Sequence, residues 1–431
     1  MKRYIFIILF LFSSTYLFAQ DNLKFYIEKA LDNNLQLNAE RKNFESAKQS
    51  KNISRSEFLP SISLSGDQSS TQSTNKTNQS GTNLKDSSLD TETKKISVDQ
   101  KVFQGFKGYN SFKKSELQVE QASFKLKQTE QQTILDTIAS YFDLIFKIKN
   151  LEFNTSNVNL FERQVESDSV RLQKGEITLT DLAQSESSLA GANAKLIKAQ
   201  TELLASEINF ERITRITAPN LINNNEKIKI DLPKTLQDAL NIAKKSNSDL
   251  IISKIDYEIA TKELNIEKAR LSPSATLNYS KTENKDFSSS VDELDEETVK
   301  ATITWPIIKG GENISSIKKS TLKKHRSLLL SEDTENRVVT DTTNAWSKYQ
   351  SSQSILLSTE AQLKAAEIAN EGITLEYDSG NTRSTLEVIQ SRSLLLESRI
   401  ENAKAERDYM ISQAELAFQL GILSLNIINP L

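Results

Sequence analysis

The feature that most restricts this chain is a long stretch without helix breakers. From Gly105 to Gly175, a span of 70 residues, there is no proline and a single internal glycine, Gly108. The span recurs from Gly310 to Gly380, again 70 residues, with Gly311 and Gly372 inside it. As helix, such a span would extend roughly 105 Å. An ordinary domain cannot wrap a helix of that length, so it must run beside partner helices. The apolar spacing agrees: Ile134, Ile138, Tyr141, Ile145 and Ile148 step by 4, 3, 4 and 3, which is a heptad seam. Leu135 and Phe142, with Leu144 and Leu151, form a second seam beside it. Two seams suit a helix packed on two sides, as in a ring of helices. Taken alone, the stretch fits a two-stranded coiled coil equally well.

The 431 residues include only 6 prolines and 11 glycines, against averages of about 5% and 7%. Pro60, Pro219, Pro233, Pro273, Pro306 and Pro430 all fall at pattern boundaries, as in a mostly helical chain with few turns. Net charge is −3 with both signs intermixed, so no basic face calls for a nucleic-acid partner. There is no cysteine, and the one histidine, His325, sits in the basic run KKHRS of a predicted helix and reads as a solvated surface residue. Disulfides, thiolate sites and most hydrolase, redox and zinc chemistries are thereby excluded. No nucleophile–base pair stands out, so the expectation is a non-enzyme with no catalytic residue, cofactor or metal.

At the N-terminus, Lys2 and Arg3 precede the apolar run Tyr4 to Phe12, and Phe18-Ala19-Gln20 supplies a cleavage site. Residues 1–19 therefore read as a secretory signal peptide. No later stretch reads as a transmembrane helix, so an exported chain of this kind could enter a membrane only as strands.

Residues 20–218 form a first repeat. A helix is predicted over 24–58 and strands over 61–66 and 96–103, separated by the polar stretch Asp67 to Lys95, read as a mobile loop. A long helix over 106–174, a turn over 175–180 and a returning helix over 181–213 complete it, with Thr180 and Asp181 where capping residues belong. A linker over 219–233 carries a short alternating strand, Ile228, Ile230 and Leu232. The second repeat, 234–421, follows the same order: helix 235–271, strands 274–280 and 298–305 around the acidic loop Lys281 to Glu297, long helix 312–379, turn 380–384 and helix 385–420. A final segment, 422–431, contains Leu423, Leu425 and Ile427 as a candidate strand. Both Leu37 to Pro60 and Leu250 to Pro273 span 23 residues. This duplication is the strongest signal in the chain. The strands alternate apolar and polar faces, as in a barrel with lipid outside and water inside, with Trp305 and Tyr279 suited to an interfacial belt. Four strands cannot close around a lumen, so several chains would have to share one barrel.

With the VFQGF and PIIKGG helix launches and the turns GEITLTDLAQSE and YDSGNTRSTLEVIQ, the pattern resembles the TolC family of outer-membrane efflux and secretion channels over essentially the whole mature chain. The fold class this implies is mainly α, with long antiparallel helical hairpins forming a tunnel and four strands per protomer in a shared barrel. The resemblance implies a homotrimer in the outer membrane of a Gram-negative bacterium, in contact with outer-membrane lipid and with a long periplasmic portion. It implies a passive exit duct that serves a periplasmic adaptor protein and an inner-membrane ABC or proton-driven pump in efflux or type I secretion. By position it also implies a gate latch in which Tyr377 and Arg383 hold the first turn through Thr180 and Asp181, between turn glycines Gly175 and Gly380. Read without the family, Asp181 is an N-cap. Glu387 matches an acidic aperture-ring position. The next ring position is Gln390, a departure, and there is one extra residue between Gly380 and Glu387 relative to the first turn. Arg215 stands where the second half keeps a glycine, Gly421.

Lys309-Gly310-Gly311 lacks the remaining residues of a phosphate loop and reads as a strand-to-helix launch. The carboxylates Asp292 to Glu297 read as a solvated loop. The rival class is an exported coiled-coil filament or adhesin, which needs neither alternating hairpins nor a glycine-bounded repeat. A periplasmic adaptor would carry one helical hairpin and more glycine.

Overall fold

The computed structural model describes residues 22–218, 227–288, 290–379 and 383–430. The signal segment 1–19, part of the 219–233 linker and Gly380 lie outside the described residues. In chain order the elements are α1 (Leu23–Asn33), α2 (Leu35–Ser56), β1 (Ser61–Ser73), β2 (Ser87–Gln104), α3 (Lys107–Gln173), α4 (Leu179–Thr214), β3 (Ile228–Ile230), α5 (Leu236–Ser246), α6 (Ser248–Ala269), β4 (Ser274–Ser288), β5 (Val291–Thr304), α7 (Glu312–Asp378), α8 (Thr385–Gln419) and β6 (Ile428–Pro430). Each half thus runs helix pair, hairpin, long helix, returning helix.

Three expectations are corrected. The single helices predicted over 24–58 and 235–271 are each broken by an asparagine. Asn34 has an extended ψ of 123°, and its N–H donates to the Ala30 carbonyl, ending α1. Its side-chain oxygen accepts the Leu37 N–H at 3.0 Å, starting α2. Asn247, at ψ 124°, does the same between α5 and α6, accepting from Leu250 at 3.1 Å. An asparagine side chain competes with the helix for nearby backbone groups, and apolar periodicity does not register it. Second, the polar loops are largely strand. β1 and β2 pair from Ser61↔Asp99 out to Ser73↔Ser87, and β4 and β5 from Ser274↔Thr304 to Ser288↔Val291. Third, the last strand is Ile428–Pro430, preceded by a 3₁₀ turn at Leu425–Ile427.

The chain divides into two compact units. One comprises residues 39–129 and 242–340. Its four strands form one antiparallel sheet in the order β1-β2-β4-β5. The register sets a row across all four strands, Ile62↔Val98↔Tyr279↔Val299, and a neighbouring row Phe103↔Ala275↔Ile303. The adjacent residues, which point to the other face, make the rows Ser63↔Ser97↔Ser280↔Thr298 and Ser61↔Asp99↔Asn278↔Lys300. One face is therefore apolar and the other polar. The apolar face is open: Ile62 is 74%, Val299 72% and Ile303 77% exposed. Beyond Leu64 both faces of β1 are polar, and beyond Val299 only Leu294 and the terminal Val291 interrupt the Asp, Glu and Thr residues of β5, which is why alternation stopped marking the strands there. At the sheet's base Gly105 has φ 59°, and a Cβ there would lie 2.4 Å from the Ser272 Cβ. Only glycine fits where α6 ends against the launch of α3.

The other unit takes the described residues of Met1–Asn38, Glu130–Asn241 and Asp341–Leu431. Its core holds the predicted seam residues Ile134, Ile138, Tyr141 and Ile145 together with Tyr26 and Ile27 of α1, Phe210 of α4 and Met410 of α8. Tyr26 meets Phe210 edge-on at 5.1 Å and Tyr141 at 5.8 Å. β3 and β6 pair beside this core, and the buried Gln413 of α8 accepts the Ile230 N–H at 3.3 Å. α3 and α4 run antiparallel, joined by Lys147–Glu202 at 2.8 Å, and α3 meets α8 through Lys149–Glu406 at 2.8 Å and Arg407–Asp143 at 3.0 Å.

α4 ends at Arg215 with φ 60° and ψ 25°, and Gly421 at the end of α8 has φ 72°. The backbone is left-handed at both positions although only one is glycine. Left-handed backbone costs a side-chain-bearing residue roughly 1–2 kcal/mol. Arg215→Gly is therefore expected to stabilise the chain by about 1 kcal/mol, read as a higher unfolding midpoint; an unchanged or lower midpoint would contradict this account.

Candidate functional site

The site is built where α3 and α7 end and α4 and α8 begin. Both returning helices start in the same way. Thr178 caps α4: its hydroxyl accepts the Asp181 N–H, and the Asp181 carboxylate accepts the Thr178 N–H at 2.9 Å. Ser384 caps α8, exchanging the same pair of bonds with Glu387, whose carboxylate accepts the Ser384 N–H at 2.8 Å. These are reciprocal capping boxes. The cap of α4 is thus Thr178 rather than Thr180 or Asp181. Asp181 and Glu387 hold equivalent positions, and the extra residue of the second turn falls before Ser384.

The expected latch residues do not meet within one chain. Thr180 lies exposed in the first turn of α4. Arg383 pairs with Glu376 at 2.6 Å and Glu387 at 2.8 Å, bracing α7 to the start of α8. Tyr377 is buried, and its hydroxyl donates to Asp168 at 3.1 Å rather than reaching Asp181. Glu387 is half-buried by its cap and Arg383, while Gln390 is exposed. Gly175, at φ 73°, makes the turn after α3.

Sequence reasoning missed Asp168. It is fully buried, and its oxygens accept from three side chains: Ser185 of α4 at 2.5 Å, Gln164 at 2.9 Å and Tyr377 of α7 at 3.1 Å. The Tyr377 hydroxyl also lies 3.2 Å from Thr385 of α8. Gln164 accepts from Arg392 of α8 at 3.0 Å, and the Arg171 guanidinium lies 4.7 Å from the centre of the Tyr377 ring. Burial pushes the Arg392 guanidinium below its ordinary value, against the opposing pull of Asp378. A signal existed: Gln164, Asp168 and Arg171 are spaced at one helical turn, and with Val158 and Phe161 they continue the buried face of α3 as polar residues.

Residues 26–214 and 239–422 both match the outer membrane efflux protein family. The chain belongs to that family. Each match covers one repeat. Among the family's relatives, outer membrane efflux protein BepC of Brucella suis biovar 1 (strain 1330) is 24% identical over 334 residues, covering 77% of this chain and 72% of that protein. Outer membrane protein TolC of Salmonella enteritidis is 21% identical over 415 residues, covering 94% and 82%. In fold the chain is similar to the Campylobacter jejuni CmeC outer membrane channel, with a TM-score of 0.82 and 15% identity over 93% of this chain and 86% of that one. It is also similar to the Neisseria gonorrhoeae MtrE channel in its open state, with a TM-score of 0.75 and 15% identity over 93% and 89%. This outer membrane efflux protein accordingly has the fold of that family's channels, α-barrel helices with barrel strands. It resides in the outer membrane of a Gram-negative bacterium, with a long periplasmic portion.

The capping boxes make the helix starts acid-sensitive. The Asp181 carboxyl is held below its ordinary value by the Thr178 N–H first and by the Thr178 hydroxyl next. The Glu387 carboxyl is held down by the Ser384 N–H first and by Arg383 next. A depressed carboxyl stabilises the fold fully above its unfolded value and ceases to do so as pH falls through the folded one. Amide-exchange protection at the starts of α4 and α8, corrected for intrinsic rate, is expected to hold above about pH 5 and to decline below about pH 4. Protection that is flat through that window would contradict the assignment.

Proposed function

We propose that this protein is the exit duct of a tripartite efflux or type I secretion system. In this reading it conducts substrates passively from an inner-membrane pump, through a periplasmic adaptor, to the cell exterior. One observation carries the reading: a single chain presents a four-stranded sheet with one open apolar face and one polar face. A sheet in lipid cannot leave its edges unpaired, and four strands are too few to enclose a lumen. Three copies sharing one barrel resolve both problems, with the apolar rows toward lipid and the serine, threonine and charged rows toward water. The rival filament has no use for such a sheet.

The gate is assigned to the turns. Thr180 and the outer side of Asp181 are free of Arg383 within the chain, so in the trimer the arginine of one protomer bonds the Thr-Asp pair of the next. An arginine–carboxylate bond of this kind is charge-assisted and directional. Opening is an iris-like separation of the turns once these bonds yield. Glu387 contributes one carboxylate per protomer near the axis, and Gln390 leaves the neighbouring ring uncharged.

Single-channel conductance in planar bilayers tests both levels. Wild-type protein is expected to show small conductance and Arg383→Ser a clearly larger one. A channel indifferent to the substitution would remove the gate assignment, and no conductance from either would remove the duct. Gln390→Glu is expected to deepen block by divalent cations, because a second carboxylate ring raises the affinity of the constriction for them. Equal block in both proteins would contradict the assigned place of Gln390.

A further inference from the structure

A cavity of ≈ 200 Å³ lies at the base of the sheet, where α2 and β2 end and α3 begins. Glu57, Lys101 and Lys107 line it together with Phe58, Phe103 and Phe106. We propose that it is a headgroup site for a phospholipid of the periplasmic leaflet that carries a primary ammonium, as phosphatidylethanolamine does. The inference rests on the reading that the apolar rows of the sheet face lipid, and not on conduction or gating.

The charged residues point to a zwitterion. One carboxylate oxygen of Glu57 is buried and has no hydrogen-bond partner among the described residues. Such an oxygen is costly to keep unless something donates to it. Lys101 and Lys107 line the same cavity, yet neither meets that oxygen. The cavity thus offers one negative and two positive groups. A phosphate that carries an ammonium on a two-carbon arm satisfies all three. Its oxygens accept from the lysines, and its ammonium donates to Glu57.

The apolar residues point to a lipid rather than a soluble zwitterion. The register of β2 shifts between Lys101 and Phe103. At this bulge a residue of a polar row, Lys101↔Thr276↔Thr302, and one of an apolar row, Phe103↔Ala275↔Ile303, line one cavity. The apolar face of the sheet therefore runs down to the charged groups. Phe106 meets Phe103 edge-on at 5.9 Å, yet it is 69% exposed. It also holds a left-handed φ of 66°, a strain that burial within the chain does not offset. The glycerol and acyl chains of a phospholipid seated at Glu57 would cover Phe103 and Phe106. A quaternary ammonium would also suit a site with phenyl rings, but it has no N–H to donate and leaves Glu57 unsatisfied. That difference separates the two headgroups by a factor on the order of ten.

The full chain is reconstituted in nanodiscs holding equal parts of phosphatidylethanolamine, phosphatidylcholine and phosphatidylglycerol, then extracted into detergent. The phospholipids that stay bound are counted by native mass spectrometry. Wild type is expected to retain phosphatidylethanolamine about tenfold over phosphatidylcholine, a comparison that needs no variant to fold. Glu57→Gln is expected to lose that preference, and the Lys101→Gln/Lys107→Gln double variant to retain less of all three lipids. Equal retention of the ethanolamine and choline lipids by wild type would overturn the site and leave the lipid-facing reading intact. So would a preference for phosphatidylglycerol, which would mean that the lysines act alone, or Glu57→Gln keeping the wild-type preference. A chain that neither reconstitutes nor retains any phospholipid would overturn the lipid-facing reading and the site with it.

Discussion

The edge strands β1 and β5 of the four-stranded sheet each carry an outer row of backbone N–H and carbonyl groups with no strand partner among the described residues. In water such edges invite association, and in hydrocarbon they are intolerable. The rest of the molecule follows from that constraint. Unpaired strand edges are satisfied when further strands pair with them, as copies of one chain can do for one another. The long helices α3 and α7 are each 67 residues. The seam of α3 buries Ile134, Ile138 and Tyr141 within the chain, while Ile197, Leu204 and Ile208 of α4 and Ile355 of α7 are exposed.

The duplicated halves show which features the fold demands and which have drifted. Asn34 and Asn247 each lie 26 residues before a proline, Pro60 and Pro273, and each both ends one helix and starts the next. The two capping boxes use different residue pairs, Thr–Asp and Ser–Glu, for one geometry. The launches differ more. Gly310 and Gly311 are both left-handed, whereas the first half places Phe106 at φ 66° after Gly105. There and at Arg215 the backbone keeps its conformation and the side chain bears the strain.

Most of the fold was legible in the sequence because its signals were long: a heptad seam, a glycine-to-glycine span, and two strands with clear alternation in each half. What was not legible was short or polar. The breaks at Asn34 and Asn247 depend on one side-chain oxygen each. The outer parts of β1 and β2, such as Gly66 to Ser73, are polar on both faces, so only the ladder of backbone bonds identifies them as strand. At the candidate site, the turn residues were found by position, but the partner of Tyr377 was not. Asp168 lies thirteen residues before Asp181, on a helix face where an apolar residue would ordinarily sit. The helical spacing from Val158 and Phe161 through Gln164 places it on the buried face of α3, but that spacing does not name its partners. Its meaning comes from Ser185 and Tyr377, which only the folded chain brings to it.

The capping boxes have a further consequence for how such a protein can change over generations. A residue inserted within a helix rotates everything after it by roughly 100° about the axis, exchanging buried faces for exposed ones. The second turn carries one more residue than the first, yet α8 begins from Ser384 as α4 begins from Thr178. The cap resets the count, and the rotational phase of the returning helix is measured from it. The segment ahead of each cap can therefore lengthen or shorten without disturbing the packing behind it, leaving the tips free to vary toward new partners while the seams are inherited intact.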